Sequence, residues 1–203
     1  MFNTQEKKER ALGVKLFLKA HRCNSPKCVM LRRPHRPGLH GKRRRTVSEV
    51  GQQLSEKQKI KVSYGIREAQ MRQVFQRAAK NPGITGALII QILERRLDNA
   101  VYRLGLAPSR SVARQLVGHG HILINGRKVT VPSYLVRTGD RIAIRPQSKD
   151  NAVLKGLAEA LKNYNAPAWL KLDKERHEGE VLALPKDLEA PFDVNMVVDY
   201  YSK

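Results

Sequence analysis

"SRSVARQLVGHGHILINGRKV", residues 109–129, decides how this chain reads. Ser109 stands before an apolar-periodic run, where its hydroxyl can accept a first-turn amide and cap a helix. Val112, Ala113, Leu116 and Val117 recur at helical spacing and face inward, and Gly118 and Gly120 close the helix. Ile122 and Ile124 then alternate with His121 and Leu123, the period of a half-buried strand. Asn125-Gly126 suits a two-residue hairpin turn, in which both central residues take positive φ. Val129 and Val131 continue the alternation as far as Pro132. "RTGD" at 137–140 is a turn into a third strand, with Ile142 and Ile144 inward and Arg141 and Arg145 outward.

Working outward, one continuous helix is expected from Thr85 through "ALIIQILERRLDNAVYRLG". Ile89, Leu93, Leu97, Ala100, Val101 and Leu104 form its apolar face, Arg96 and Arg103 share a polar side, and Gly105 ends it. Ala107-Pro108 turns the chain toward Ser109. Residues 48–80 read as helical, with a capping box in "SEKQ" at 55–58 that pairs Ser55 with Gln58. Gly65 interrupts, Met71, Val74, Phe75, Ala78 and Ala79 form a stripe, and Asn81-Pro82-Gly83 ends the segment. Before residue 48, Pro26, Pro34, Pro37, Gly38 and Gly41 argue for an irregular basic arm. Within it "VKLFLKAHR" is a short helix or strand. Beyond the hairpins, "AVLKGLAEALKNY" reads as a helix, and "PAWLKLD", "GEVLAL" and "VNMVVDYY" as short strands or extended arms. The fold class expected is α+β. Residues 1–47 form the arm, 48–92 a helical domain, 93–155 a small module of two helices and a short sheet, and 156–203 a C-terminal helix and return segment.

Charge narrows the function. The 203 residues hold 39 Lys+Arg against 18 Asp+Glu, a net +21, which points to a polyanionic partner. Residues 1–50 carry net +11, 51–100 +5, 101–150 +7 and 151–203 −2, so the C-terminal region is expected to face protein more than RNA. No run reaches the apolar length of a membrane span, and the N-terminus has no apolar signal core. A cytosolic protein is the default. Two cysteines, Cys23 and Cys28, do not make a disulfide framework.

Arg110 and Arg114 are neighbours on one helix face beside the free amides of a capped N-terminus, a place suited to phosphate. Asn125-Gly126 sets Arg127 and Lys128 at the hairpin end. Between 101 and 150 the carboxylates are Asp140 and Asp150, too few for a solvated face of mixed sign. The candidate phosphate-binding residues are therefore Arg95, Arg96, Arg103, Ser109, Arg110, Arg114, His119, Arg127 and Lys128 in the module. Lys57, Lys61 and Arg72 join them on the helical segment, and Lys42, Arg43, Arg44 and Arg45 on the arm. Glu94 and Asp98 are expected to orient Arg95 or cap structure, and Arg110 and Arg114 to be dispensable for folding. Few aromatics are available for base stacking, which favours backbone and shape recognition. No catalytic constellation stands out.

The stretch "LERRLDNAVYRLGLAPSRSVARQLVGHGHILINGRKV" resembles the small RNA-binding module named after ribosomal small-subunit protein four. Pseudouridine synthases, tyrosyl-tRNA synthetases and small heat-shock RNA-binding proteins carry the same module. The flanks "VKLFLK", "RPGLHGKRRRTVSEVGQQLSEKQKIKVSYGI" and "VNMVVDYYSK" resemble the ribosomal family itself, so the likeness covers nearly all of the chain beyond about residue 12. The resemblance implies a non-enzymatic primary binder of the five-prime domain of small-subunit ribosomal RNA that nucleates assembly. It also implies neighbours in small-subunit proteins five and twelve, and an influence on decoding accuracy. In relatives, the stretch matching 42–45 lies near where messenger RNA enters. The alternatives are a free RNA chaperone and an RNA-modifying enzyme, which would need a catalytic domain that the residues after the module are too few to supply. Zinc-bearing relatives have two cysteine pairs near the N-terminus. Here one pair remains, and structural zinc wants four ligands, so no metal is expected. His21, His35 and His40 are the residues that could complete a set.

Overall fold

The computed structural model describes residues 4–43, 46–148, 156–186 and 192–202. Arg44 and Arg45 lie outside the described residues. Two compact units emerge, Met1–Ile89 with Glu189–Lys203, and Ile90–Leu188. Their elements are mixed helix and antiparallel strand, an α+β architecture. Among the described residues no helix is long and apolar enough to cross a membrane.

The first unit is helical: α1 (Thr4–Leu12), α2 (Ala20–Cys23), α3 (Val29–Arg32), α4 (Glu49–Ser63), α5 (Glu68–Ala79) and α10 (Val194–Ser202), with α6 (Thr85–Glu94) spanning the boundary. Residues 4–12, expected to be irregular, form α1, because a buried carboxylate supplies a reason for order that composition hides. Glu9 is 2% exposed, and its Oε1 accepts the amides of Leu16 and Leu18 at 3.0 and 3.2 Å. The helix expected from residue 48 does begin there, but its cap is Ser48, whose Oγ accepts the Gly51 amide at 3.3 Å, and not the expected Ser55. That earlier cap wins because nothing between 49 and 55 breaks the helix, so Ser55 sits inside it. "VNMVVDYY" is helix α10, not an extended arm. Asp193 Oδ1 accepts the amides of Asn195 and Met196 at 2.9 and 3.5 Å, and Val197 is fully buried. A side-chain cap and a buried face outweigh the strand preference of its β-branched residues.

One carboxylate ties α4, α5 and α10. Glu68 accepts Lys57 Nζ and Tyr201 Oη on Oε1 at 2.9 and 2.7 Å, and Lys61 Nζ on Oε2 at 3.1 Å. Lys57 Nζ also sits 4.1 Å from the Tyr200 ring centroid, and Phe75 stacks on Tyr201 at 5.1 Å. Burial would raise the Glu68 carboxyl, but the bonds from Lys57, Tyr201 and Lys61 pull it down to about 2.

The second unit packs α7 (Leu97–Arg103) and α8 (Arg110–Gly118) against a five-stranded antiparallel sheet. Its order is β2-β1-β3-β5-β4, from β1 (Ile122–Ile124), β2 (Arg127–Lys128), β3 (Arg141–Ile144), β4 (Leu170–Asp173) and β5 (Glu178–Val181). A short α9 (Leu157–Lys162) buries Leu161 in the same core. The hairpin forms as expected, with φ of 50° at Asn125 and 79° at Gly126. Ile122 faces Ile144 and Ile124 faces Ile142, all inward, so the period-two pattern fixes the register. Ile142 also pairs with Gly179 of β5, which carries the sheet past the boundary drawn at residue 155. A Cβ on Gly179 would overlap the methyls of Leu104, so only glycine lets α7 lie this close.

The continuous helix expected from Thr85 is broken at Arg95-Arg96. The amides of Leu97 and Asp98 turn from the helix ladder to the carbonyls of Tyr134 and Pro132, at 2.8 and 3.2 Å. Arg95 and Val136 close a further exchange: the Val136 amide donates to the Arg95 carbonyl at 2.9 Å and Arg95 Nε to the Val136 carbonyl at 3.0 Å. Local sequence is helical throughout. The distant turn and isolated bridge at residues 132–136 offer partners to the first turn of α7.

Two outcomes test this architecture. Gly179→Ala should destabilise the fold by about 1–3 kcal/mol through overpacking, and Leu104→Ala should relieve part of that loss in a double-mutant cycle read by denaturant melts. For Glu68 the native carboxyl lies below its ordinary 4.5, so its contribution is present above that value and fades as pH falls toward about 2. The stability difference between the parent and Glu68→Gln should therefore be flat at neutral pH and close to nothing at the acid end.

Candidate nucleic-acid interface

Where α6 meets α7, a carboxylate is carried into the core. Glu94 is fully buried, with the fully buried Leu93 and Leu97 on either side of it and of Arg95-Arg96. An ionised carboxylate there must be met on every lone pair. Asn99 Nδ2 donates to its Oε2 at 2.9 Å and to its carbonyl at 3.0 Å. Arg103 forks onto it, Nε to Oε2 at 2.9 Å and Nη2 to Oε1 at 3.0 Å. Arg110 completes the set: its Nε donates to Asn99 Oδ1 at 2.8 Å, its Nη2 lies 3.9 Å from Glu94 Oε1, and its guanidinium sits 4.7 Å from the Tyr102 ring centroid.

Asp98 does the same one step along. Arg96 forks onto it at 3.1 and 2.7 Å, the Asn99 amide donates to Oδ1 at 2.9 Å, and Arg114 Nη1 approaches Oδ2 to 3.6 Å. Glu94 and Asp98 thus orient Arg103, Arg110, Arg96 and Arg114 rather than Arg95, whose Nε is bonded to the Val136 carbonyl. The expectation that Arg110 and Arg114 are dispensable for folding is corrected for Arg110, which closes the shell around a buried charge.

The expected residues fall into four groups. Arg103, Arg110 and Arg114 are drawn together at α7 and α8, with side chains 29%, 18% and 43% exposed. An open groove of about 490 Å³ lies beside them, lined by Ser111, Arg114, Gln115, Gly118, His119 and Pro132, and the exposed His119 ring runs parallel to His121 at 6.1 Å. Arg127 and Lys128 project from β2, both exposed, with the hairpin locked by Asn125. Its Nδ2 donates to the buried Asp140 at 2.9 Å and its Oδ1 accepts the Arg141 amide at 2.9 Å. Lys42, Arg43 and Arg72 are exposed in the first unit.

The fourth group turns toward carboxylates or the core. Lys57 is 4% exposed and Arg96 5%, each committed to a carboxylate, and Lys61 shares Glu68 with Lys57. Ser109 is buried with its Oγ on the Val112 amide at 3.4 Å. The buried three, Lys57, Arg96 and Ser109, hold the fold. Burial leaves Lys57, Arg96 and Ser109 little surface to offer a phosphate, whereas the Lys61 side chain stays 23% exposed. Sequence reasoning missed Asn99 and Tyr102. The signal available was Glu94 itself, a lone carboxylate in a core-facing position that demanded donors nearby.

At the N-terminus Cys23 and Cys28 are both buried. Cys23 Sγ lies 4.0 and 3.9 Å from the two Glu9 oxygens, and burial pushes its thiol up, with Glu9 adding to the rise. Among the described residues no three of His, Cys, Asp and Glu converge as a metal-ligand set.

Comparison with known proteins fits this geometry. Residues 3–94 match the profile described as ribosomal protein S4/S9 N-terminal domain, and residues 95–142 that of the S4 domain. The small ribosomal subunit protein uS4 of Pelotomaculum thermopropionicum is 49% identical over 196 residues, covering 96% of this chain and 94% of the relative. That of Thermus thermophilus is 49% identical over 197 residues with the same coverage, and the uS4A protein of Alkaliphilus oremlandii is 49% identical over 196. With both profiles covering most of its length and relatives at such identity along nearly all of it, the chain belongs to the ribosomal protein uS4 family.

Proposed function

We propose that this chain is a non-enzymatic component of the cytoplasmic small ribosomal subunit that binds small-subunit ribosomal RNA through the α7–α8 surface and the β1–β2 hairpin. The observation that carries the reading is the arginine cluster held by Glu94 and Asn99 at the N-terminus of α8. A guanidinium already fixed by a buried partner loses little freedom when its outer donors meet a phosphate. Arg127 and Lys128, on a hairpin that Asp140 and Asn125 make rigid, extend the cationic edge. Such a surface reads backbone and shape, as folded RNA requires.

The finer reading follows from the family. The RNA partner is the five-prime domain, binding nucleates assembly of the subunit body, and small-subunit proteins five and twelve are neighbours through which decoding accuracy is influenced. The region after residue 150, net −2, faces protein. The exposed pair Lys42 and Arg43 belongs near messenger RNA. The relatives that match 96% of this chain are small ribosomal subunit proteins, which favours the ribosomal reading over an RNA-modifying enzyme. The free-chaperone alternative is met by fractionation, since a resident protein stays stoichiometric with small subunits through a moderate-salt wash.

Three variants separate binding from folding. Arg127→Ala with Lys128→Ala should leave the melting midpoint unchanged and reduce the slope of log affinity against log salt by about one to two units on small-subunit ribosomal RNA. Arg110→Ala should lower both affinity and stability. Glu94→Gln should cost about 3–5 kcal/mol of stability, because the arginines around it lose their buried counter-charge. An unchanged slope in the hairpin variant would reject the assignment of β2 to RNA.

A further inference from the structure

The turn that ends α8 carries a glycine with two separate reasons to be one. Gly120 has a φ of 76°, and the hydrogen bonds about it are those of a helix stop. Its amide donates to the Val117 carbonyl at 2.9 Å, and the His121 amide to the Leu116 carbonyl at 3.0 Å. That conformation favours glycine, yet asparagine takes it too, as Asn125 does at a φ of 50°. The second reason is space. A Cβ on Gly120 would overlap Lys128 Cε and lie 3.0 Å from Nζ and 3.3 Å from Cδ. The outer half of the Lys128 side chain therefore runs across the bare Cα of Gly120, which is buried although it stands in a turn. No residue with a side chain leaves that path open.

We propose that Gly120 is a positioning residue for RNA binding, seating the Lys128 stem so that its ammonium stands at the C-terminal end of α8, ready for a phosphate. The proposal rests on the assignment of the hairpin to RNA above. Lys128 starts from β2, opposite Leu123, and its far end arrives at the turn before β1. His119, the neighbour of Gly120 in that turn, lines the groove beside Arg114. The seat thus brings a hairpin cation to the edge of the α8 groove and joins two parts of the cationic surface that the chain builds separately. A lysine stem already laid against the backbone gives up less rotamer freedom on docking than one that moves freely in water. The partial negative charge at the C-terminus of α8 favours an ammonium there. An overlap with the far end of a flexible side chain is relieved by moving that side chain, so a Cβ at position 120 displaces Lys128 before it disturbs the sheet.

The test is a double-mutant cycle in the full-length chain. Gly120→Asn supplies a residue suited to positive φ and blocks the path of Lys128. Gly139→Asn is the control, at a glycine whose φ is 87° and whose Cβ would meet open space. Each is made with and without Lys128→Ala, and affinity for small-subunit ribosomal RNA is measured across salt beside the melting midpoint. Gly120→Asn should bind roughly fivefold more weakly and lose about one unit of salt slope, the share of one phosphate contact. Lys128→Ala should do the same, and the two together should lose no more than either alone. Gly139→Asn should keep the slope of the parent. In the parent itself, a nuclear Overhauser contact between Gly120 Hα and Lys128 Hε should be present, a reading that needs no variant to fold. Absence of that contact overturns the proposal. A Gly120→Asn chain with the slope of the parent also overturns it, as do losses that add in the double variant, which would leave Gly120 as a helix stop alone. An equal loss of slope in Gly139→Asn would trace the effect to backbone strain and reject it. An unaltered slope in Lys128→Ala, alongside a weakened Arg127→Ala/Lys128→Ala control, rejects the positioning role and leaves the RNA-binding reading intact. If that control is itself unchanged, the assignment of the hairpin to RNA has failed.

Discussion

The dehydrated carboxylate of Glu94 is the constraint from which the second unit is organised. Burying that charge is unfavourable unless donors surround it, and the chain supplies them from Asn99, Arg103 and Arg110. These residues come from α7 and α8, so the same demand that neutralises Glu94 sets the two helices in place. It also decides where two arginines of the candidate interface point. Tyr164 adds a brace from the far side, its Oη donating to the Arg103 carbonyl at 2.8 Å. The interface is thus an outward consequence of an inward requirement.

The break between α6 and α7 serves that requirement. A helix running straight through Arg95-Arg96 would keep its own ladder and leave the carbonyls of Pro132 and Tyr134 to other partners. The observed exchange joins the start of α7 to the chain leaving the hairpin, and Val136, fully buried, fills the corner. The apolar stripe survives the break: Ile89 and Leu93 before it, and Leu97, Ala100, Val101 and Leu104 after it, are all fully buried. Burial pattern and helix continuity are separable, and the first was kept while the second was given up.

Charge is used twice in this molecule. Some cations are consumed inside: Lys57 and Lys61 on Glu68, Arg96 on Asp98. Others are aimed outward by carboxylates they share, as Arg114 is by Asp98. The acidic residues, sparse in the basic body, therefore act mainly as organisers. In the first unit Glu9 and Glu68 play the part that Glu94 plays in the second, the one securing the loop after α1 and the other clasping α10 to α4 and α5.

Much of this was legible in the sequence. Ser109, Asn125-Gly126 and the alternating isoleucines determined a cap, a turn and a register, because each acts through neighbours a few residues away. Net charge pointed to a polyanionic partner. The tertiary structure alone decided which cations are buried and which reach the surface, since Lys57 and Arg103 look alike until their carboxylates are placed. It alone made α10 a helix, broke the helix after Glu94, and drew β4 and β5 into the sheet of the hairpin. In each case a partner distant in the chain offered a hydrogen bond or a buried surface worth more than the local preference, and such partners leave no periodic trace in the sequence.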